Sequence, residues 1–420
     1  MTIRVVVADD SPFVCRLLTS YLQSSPGFQV VGSASDGAGA VETVKTLHPD
    51  VVTLDLEMPG PDGLETLECI MHECPTPVVL VTGVSRRAAD VALQAIEIGA
   101  VDFILKYTPG VDMNPETLRR DVVAKVRAAS QIHVVRSLGP RRVQRQENAI
   151  DAGQAETLPH LPGGVPSEWP FEGSGVPSEW PFEGSGVPSE WPFEGDGVPS
   201  EWPLEGDGVP SEWPFEGSGV PSEWPFEGSG VPSEWPFEEG GVVVIGASTG
   251  GPVALRELLS NLPGDFATPI VIVQHMPASF TGVLAAQLDR QVPLKIREIE
   301  AGDRLEPGRA LVAPGDYHLL LRSEMETELN QGPEIGGHRP CIDVTMQSAA
   351  QVYGARTKGI LLTGMGDDGT LGLVSIRAKG GQTFAQDAAS CAVNGMPRRA
   401  IERGVVDHVA PPARIAQMLR

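Results

Sequence analysis

Long apolar runs are missing from this 420-residue chain. No stretch approaches the roughly 18–20 residues that a bilayer span needs, and the N-terminus, M-T-I-R-V-V-V-A-D-D, turns acidic too soon for a secretory signal. Both absences point to a cytoplasmic protein with no direct membrane insertion. Cysteine is scarce too. Cys15, Cys69, Cys74, Cys341 and Cys391 are odd in number and scattered, which argues against a disulfide framework. Cys69 and Cys74 lack the spacing and the second pair of a zinc knuckle. Tryptophan is absent outside residues 164–240, and that same segment has no lysine or arginine.

The net charge of −24 is therefore unevenly spread. Residues 1–163 carry 14 basic and 20 acidic side chains, residues 164–240 carry none and 17, and residues 241–420 carry 17 and 18. The C-terminal part is nearly neutral and shows no basic stripe and no helix-turn-helix pattern, which excludes a nucleic-acid-reading output domain. The acidic middle is an internal repeat of eleven residues, G-V-P-S-E-W-P-F-E-G-S, running seven times over 164–240. Two prolines per unit forbid a helix, glycine loosens the joints, and the carboxylates repel one another. A flexible linker over 129–240 is expected, its 77 repeat residues spanning roughly 50 Å as a coil. It serves as a spacer or as a multivalent display of Trp-Pro-Phe between acids.

On either side of this linker the chain alternates strand-like and helix-like segments. In 1–128 the apolar runs 3–8, 28–31, 51–54, 77–81 and 101–105 alternate with helical periodicities, predicting a five-stranded doubly wound α/β domain. Ligands gather at the carboxyl ends of such strands. The residues expected there are Asp9 and Asp10, then Asp55, Thr82 and Lys106. Three clustered carboxylates repel one another unless a cation joins them, and an all-oxygen site open to water suits Mg²⁺. A carboxylate beside a metal, a lysine and a hydroxyl is placed to attack a phosphoryl donor. The plainer alternative is five unrelated polar strand ends.

In 241–420 the stretch G-V-V-V-I-G-A-S-T-G-G-P stands out. Residues 242–245 read as a buried parallel strand, and Pro252 suits the first turn of a helix. Ser248 lies on the turn between them, where a hydroxyl is bared beside helix-opening N–H groups. That is the setting of a serine nucleophile, or of a phosphate-binding turn. Further strands are expected at 269–274, 294–299, 310–312 with 317–321, and 359–363, with helices at 252–262, 278–290, 343–353 and 368–379. His275 and the G-M-G-D-D-G loop at 364–369 then fall at carboxyl strand ends beside Ser248, where Ser, His and Asp can assemble a triad. The order Ser, His, Asp differs from the Ser, Asp/Glu, His order of α/β-hydrolases, so an unrelated serine hydrolase is inferred. A nucleotide site lacks both the G-x-G-x-x-G and the P-loop lysine. His318, His338 and His408 are read as surface or structural.

Two resemblances follow from these motifs. With Asp9-Asp10, D-L-E-M-P-G-P-D-G at 55–63, Thr82 and Lys106, residues 1–128 resemble a response-regulator receiver domain. The resemblance implies Asp55 as phospho-acceptor, Mg²⁺ held by Asp9, Asp10, Asp55 and the Glu57 backbone carbonyl, and Thr82, Phe103 and Lys106 as switch residues. The family usually has a cis proline after the lysine. Here it is Tyr107, for which cis would cost about 2.5–4 kcal/mol, so trans is expected.

Residues 241–420 resemble the catalytic domain of the chemotaxis methylesterases called CheB. The match runs through G-A-S-T-G-G-P, Q-H-M, A-P-G-D-Y-H, H-R-P-C-I-D-V, L-T-G-M-G-D-D-G and N-G-M-P. It implies a doubly wound α/β serine esterase with Ser248 as nucleophile, His275 as base and Asp368 as orienter. Thr249 and the Met365 N–H support the oxyanion, and no cofactor acts in the esterase site. Receiver plus esterase is that family's architecture, the repeat-bearing linker being unusual for it. The expected activity is demethylation of glutamate γ-methyl esters, and deamidation of certain glutamines, on methyl-accepting chemotaxis receptors. A chemotaxis histidine kinase would be the phosphodonor. The alternative from another class is a non-catalytic receiver-linked scaffold whose repeats recruit partners.

Overall fold

A computed structural model describes residues 2–60, 63–106, 115–132, 240–324 and 326–420. The expectations for Tyr107 and for the repeats lie outside the described residues.

The N-terminal half is built as β1 (Ile3–Ala8), α1 (Pro12–Gln23), β2 (Phe28–Ala34), α2 (Gly37–Leu47), β3 (Val51–Asp55), α3 (Gly63–Glu73), β4 (Val78–Thr82), α4 (Arg86–Ile98), β5 (Asp102–Leu105) and α5 (Pro115–Ala129). Helix starts obey local capping chemistry: Asp36 accepts from Gly39 N at 2.8 Å and Ser85 from Ala88 N at 3.0 Å. The strands form one parallel sheet in the order β2-β1-β3-β4-β5. β3 and β4 are buried along their whole length, as unbroken apolar runs between two helical layers must be. The order reverses between β1 and β3, which opens the crevice where Asp9, Asp10 and Asp55 sit. Two strands run longer than their apolar runs suggest, β2 to Ala34 and β4 to Thr82, because edge pairing with β1 and β5 continues past the last apolar residue.

The C-terminal half runs β6 (Val242–Ala247), α6 (Gly251–Ser260), β7 (Ile270–Gln274), α7 (Ala278–Gln291), β8 (Lys295–Glu298), β9 (Arg309–Val312), β10 (His318–Leu321), β11 (Thr327–Asn330), α8 (Ile342–Tyr353), β12 (Thr357–Leu361), α9 (Thr370–Ala378), β13 (Gln382–Gln386), α10 (Met396–Glu402), β14 (His408–Ala410) and α11 (Pro412–Leu419). Seven strands make a parallel sheet in the order β14-β13-β12-β6-β7-β9-β8. β10 is not among them. It pairs antiparallel with β11 in a separate hairpin. β11, β13, β14, α10 and α11 escaped the sequence reading, since short strands such as Gln382–Gln386 mix polar and apolar residues without a clean period. The central strands β6 and β7 are fully buried. The winding reverses between β12 and β6, so the loops after these two strands frame the second crevice.

The halves touch. Leu93 and Ile96 of α4 pack with Leu284 and Leu288 of α7 in one continuous apolar cluster. Among the described residues no helix is long and apolar enough to cross a membrane.

Candidate functional site

Ser248 owes its place to sheet register. β6 and β7 pair Ala247 with Gln274, and His275 N donates to Ala247 O at 3.0 Å. The next residue on each strand is Ser248 and His275, on parallel strands whose spacing is about 4.8 Å. Gln274 ties the two turns together, its Nε2 donating to Ser248 O at 3.0 Å and to His275 O at 3.1 Å. Gly250 takes a left-handed φ of 76°, which turns the chain from strand into α6. Gly364, after β12, lies so close that a side chain there would sit 2.7 Å from Ser248 Cβ. The glycine loop therefore passes directly over the serine.

That loop delivers Asp368. His275 Nε2 donates to Asp368 Oδ2 at 2.7 Å, while the other ring nitrogen, Nδ1, is buried with no hydrogen-bond partner. Asp368 also collects Ile342 N (2.8 Å), Asp343 N (2.9 Å), Gly369 N (2.9 Å) and the Cys341 thiol (3.2 Å). Three of these donors open α8, so the carboxylate sits on a helix N-terminus. Burial alone would push its pKa up. The bond to His275, that ring's charge and the α8 N–H groups outweigh burial and hold it well below the carboxylate range. An ionised Asp368 fixes the proton of His275 on Nε2 and leaves Nδ1 as the basic nitrogen. A hydroxyl, an imidazole with one free basic nitrogen and a saturated carboxylate form a set that can carry nucleophilic acyl transfer. Asp367 makes no contact with His275 among the hydrogen bonds of the described residues; its carbonyl accepts from Thr370 N at 3.1 Å.

Three neighbours escaped the sequence reading. His338, read there as surface or structural, stacks on His275 with ring centroids 3.8 Å apart and planes 10° apart. Burial, then the charge of His275, lower its pKa to about 4, so it is neutral at pH 7. Asp343 accepts from Gly372 N at 2.7 Å, and burial together with the Asp368 charge raises its pKa to about 7. The Cys341 thiol donates a hydrogen bond to Asp368, and burial pushes its pKa far up, leaving it an inert thiol. All three lie in or beside the H-R-P-C-I-D-V motif, so the motif was visible while the roles were not.

The first crevice has a different character. One oxygen from each of Asp9, Asp10 and Asp55 lies within 4.8 Å of the others. Lys106 Nζ is 2.5 Å from Asp55 Oδ2 and 3.4 Å from Asp9 Oδ2. Asp9 Oδ2 is buried and accepts no hydrogen bond. Burial pushes the Asp9 carboxyl above its ordinary value, against Ser11 N–H and Lys106 pulling it down. Burial also works against the Lys106 ammonium, but its bond to Asp55 prevails and raises its pKa. Three carboxylates with one lysine, and one carboxylate oxygen left unbonded, fit a small divalent cation such as Mg²⁺. Thr82 closes β4, and its carbonyl accepts from Lys106 N at 2.7 Å.

The two crevices are joined through β5. Asp102 Oδ2 accepts the hydroxyl proton of Thr249, the residue after Ser248, at 2.5 Å. Lys125 Nζ lies 3.6 Å from Asp102 and donates to Phe103 O at 2.6 Å. Phe103 is buried and stacks on Phe280 of α7, centroids 4.3 Å apart.

Both halves are similar to known proteins. The CheB methylesterase family matches residues 243–419, and the response regulator receiver domain family matches residues 5–114. The protein-glutamate methylesterase/protein-glutamine glutaminase of Symbiobacterium thermophilum is 36% identical over 99% of this chain and 96% of its own length. Its counterpart in Moorella thermoacetica is 39% identical over 99% of this chain and 96% of its own length. The crystal structure of the Thermotoga maritima CheB methylesterase catalytic domain is 43% identical, covering 43% of this chain and 97% of that one, with a TM-score of 0.42. With identity of this order running through both halves, the chain belongs to the CheB family of protein-glutamate methylesterases that carry a receiver domain ahead of the catalytic one.

Proposed function

We propose that the protein removes methyl groups from glutamate γ-methyl esters, and deamidates particular glutamines, on methyl-accepting chemotaxis receptors. Residues 1–128 act as the receiver, 129–240 as the tether and 241–420 as the esterase, in the cytoplasm. The reading is carried by one observation: His275 is bonded to Asp368 through Nε2, keeps Nδ1 free, and lies one residue past the β6–β7 rung that positions Ser248. In the reaction the Ser248 hydroxyl attacks the ester carbonyl as His275 accepts its proton. Backbone N–H groups around Thr249 and Met365 support the oxyanion. His275 returns the proton to the departing methoxide, methanol leaves, and water resolves the acyl-enzyme by the same path. With a glutamine side chain the leaving group is ammonia.

Asp55 is the phospho-acceptor, supplied by a chemotaxis histidine kinase. Asp9, Asp10, Asp55 and the Glu57 carbonyl would hold Mg²⁺, which supplies charge neutralisation for phosphoryl transfer. Lys106 keeps the acceptor oriented, while Thr82 and Phe103 transmit its state. Phosphorylation relieves the restraint at Thr249 because Phe103 and Asp102 are neighbours on one short strand, one stacked on Phe280 and the other bonded to Thr249. Methanol release from methylated receptor fragments tests the assignment. Wild-type protein should release methanol, faster with a phosphodonor, and Ser248→Ala should release none. No release by the wild type would return the protein to the scaffold reading, and sustained release by Ser248→Ala would mean that another residue is the nucleophile.

A further inference from the structure

Between α5 and the loops framing Ser248 lies a cleft of about 1050 Å³. Its receiver wall carries Arg119, Arg120 and Arg127, its esterase wall carries Arg398 and Arg399 at α10, and Met365 and Gly366 bring it to the glycine loop over the serine. Its lining carboxylates are Glu116 and Asp367. Five guanidinium groups against two carboxylates run counter to a chain with 55 acidic and 31 basic side chains. Arginine is the side chain whose planar fork matches a carboxylate.

Arg127 is engaged within the receiver, donating to Pro26 O at 3.1 Å and lying over the Phe28 ring, but Arg119, Arg398 and Arg399 are held only by exposed pairs on their own helices. Arg119 pairs with Glu116 on its own helix, and Arg398 and Arg399 share Glu402 on theirs, at 3.0 and 3.8 Å. Such exposed pairs within one helix contribute little, so an incoming carboxylate can displace them. Arg120 and Arg127 are seven residues apart on α5, hence on one face and about 10 Å apart. Arg120 also reaches the esterase: a Cβ on Gly337 would come within 3.0 Å of its Nη2, and Gly337 precedes His338, the ring stacked on His275.

We propose that this cleft is a docking groove for a carboxylate-rich polypeptide segment, with the receiver helix α5 supplying one of its two cationic walls. The inference rests on the esterase reading and extends it to substrate recognition. The esterified glutamate would lie in a segment bearing further glutamates, and those neighbours would engage the arginines while the ester reaches Ser248. The receiver then takes part in gripping the substrate as well as in restraining the esterase.

The test uses the full chain and two peptides, each with one glutamate γ-methyl ester, flanked by glutamates in one and by glutamines in the other. Wild-type KM should be lower for the glutamate-flanked peptide, with the advantage shrinking as NaCl rises. Arg120→Gln combined with Arg399→Gln should raise KM about tenfold for the glutamate-flanked peptide and far less for the other, and Arg120→Lys with Arg399→Lys should recover part of the loss. Equal wild-type KM for the two peptides overturns the proposal, as does an unchanged KM in the double Gln variant with a native circular dichroism spectrum. Wild-type turnover of p-nitrophenyl acetate checks the esterase reading separately. Should that fail, anisotropy of a labelled glutamate-rich peptide still decides the groove: binding lost in the double Gln variant supports it, and no binding to wild type overturns it.

Discussion

Asp55 is the last residue of β3 and Asp368 lies seven residues past the end of β12, each beside the switch in winding order of its parallel sheet. Their surroundings differ. Asp368 is saturated, with three backbone N–H groups, a thiol and an imidazole directed at its two oxygens. Asp55 takes one backbone N–H, from Glu57 at 3.0 Å, and the Lys106 ammonium, with two further carboxylates pressed against it. A carboxylate that must stay ionised and hold another group still is given every donor it can accept. In the proposed function, a carboxylate that is itself to react is left under-supplied, with open positions for a cation and a phosphoryl group. On the proposed roles, the same kind of sheet edge serves two chemistries, and the donor count separates them.

The largest effect should follow from breaking the saturated site. Asp368→Asn removes the charge that fixes the His275 proton on Nε2; by analogy with serine-protease triads kcat should fall about 10⁴-fold. Asp367→Asn, one residue away and without a hydrogen bond to His275 among the described residues, should cost a few-fold at most. Steady-state methanol release by the two variants measures both. A severe loss in Asp367→Asn with Asp368→Asn active would reverse the assignment.

Breaking the under-supplied site should act on regulation alone. Asp55→Asn should retain basal hydrolysis and lose all stimulation by acetyl phosphate with Mg²⁺. Stimulation that survives would mean another residue accepts the phosphoryl group.

The link between the sites gives a smaller effect. Asp102 places a negative charge next to Thr249, close to where an oxyanion would develop, and with Lys125 3.6 Å away offsetting part of that charge the repulsion is about 1–2 kcal/mol. Asp102→Asn keeps an acceptor for the Thr249 hydroxyl and removes the charge. Basal kcat without phosphodonor should therefore rise on the order of tenfold. No change would mean the receiver restrains the esterase by bulk alone.

The smallest effect concerns Asp343, whose pKa is raised to about 7 by burial and by Asp368. A carboxyl with a raised folded pKa binds more protons folded than unfolded, so it weakens the fold as pH climbs from about 4, its unfolded value, to about 7. Unfolding free energies of Asp343→Asn and wild type should diverge in favour of the variant across that window and run parallel above it. A gain of about 1–2 kcal/mol is expected, because the pair with Asp368 shares the shift. Curves that stay parallel from pH 4 to 8 would show that Asp343 ionises freely.

The strand-end residues of both crevices were legible in sequence because each follows a run of apolar residues whose length and flanking turns are local features. Asp9, Asp55, Lys106, Ser248 and His275 all fall where those runs end. The choice of Asp368 over Asp367 needed the family motif, since two adjacent carboxylates on one loop are equivalent to any count of period or charge. The stacking of His338 on His275 was invisible for a related reason. Nothing local to Gly336, Gly337 and Arg339 says that the loop folds back onto a ring 63 positions earlier.

By itself, then, the sequence determined the two wound sheets, the acidic crevice and the serine turn, because burial periodicity and turn chemistry act over a few residues. The tertiary structure alone decided which nitrogen of His275 is free, how Asp343 and Asp368 share their charge, and that Asp102 meets Thr249 across 147 positions of chain. Those outcomes depend on which surfaces exclude water together, and such exclusion is a property of packed pairs of elements.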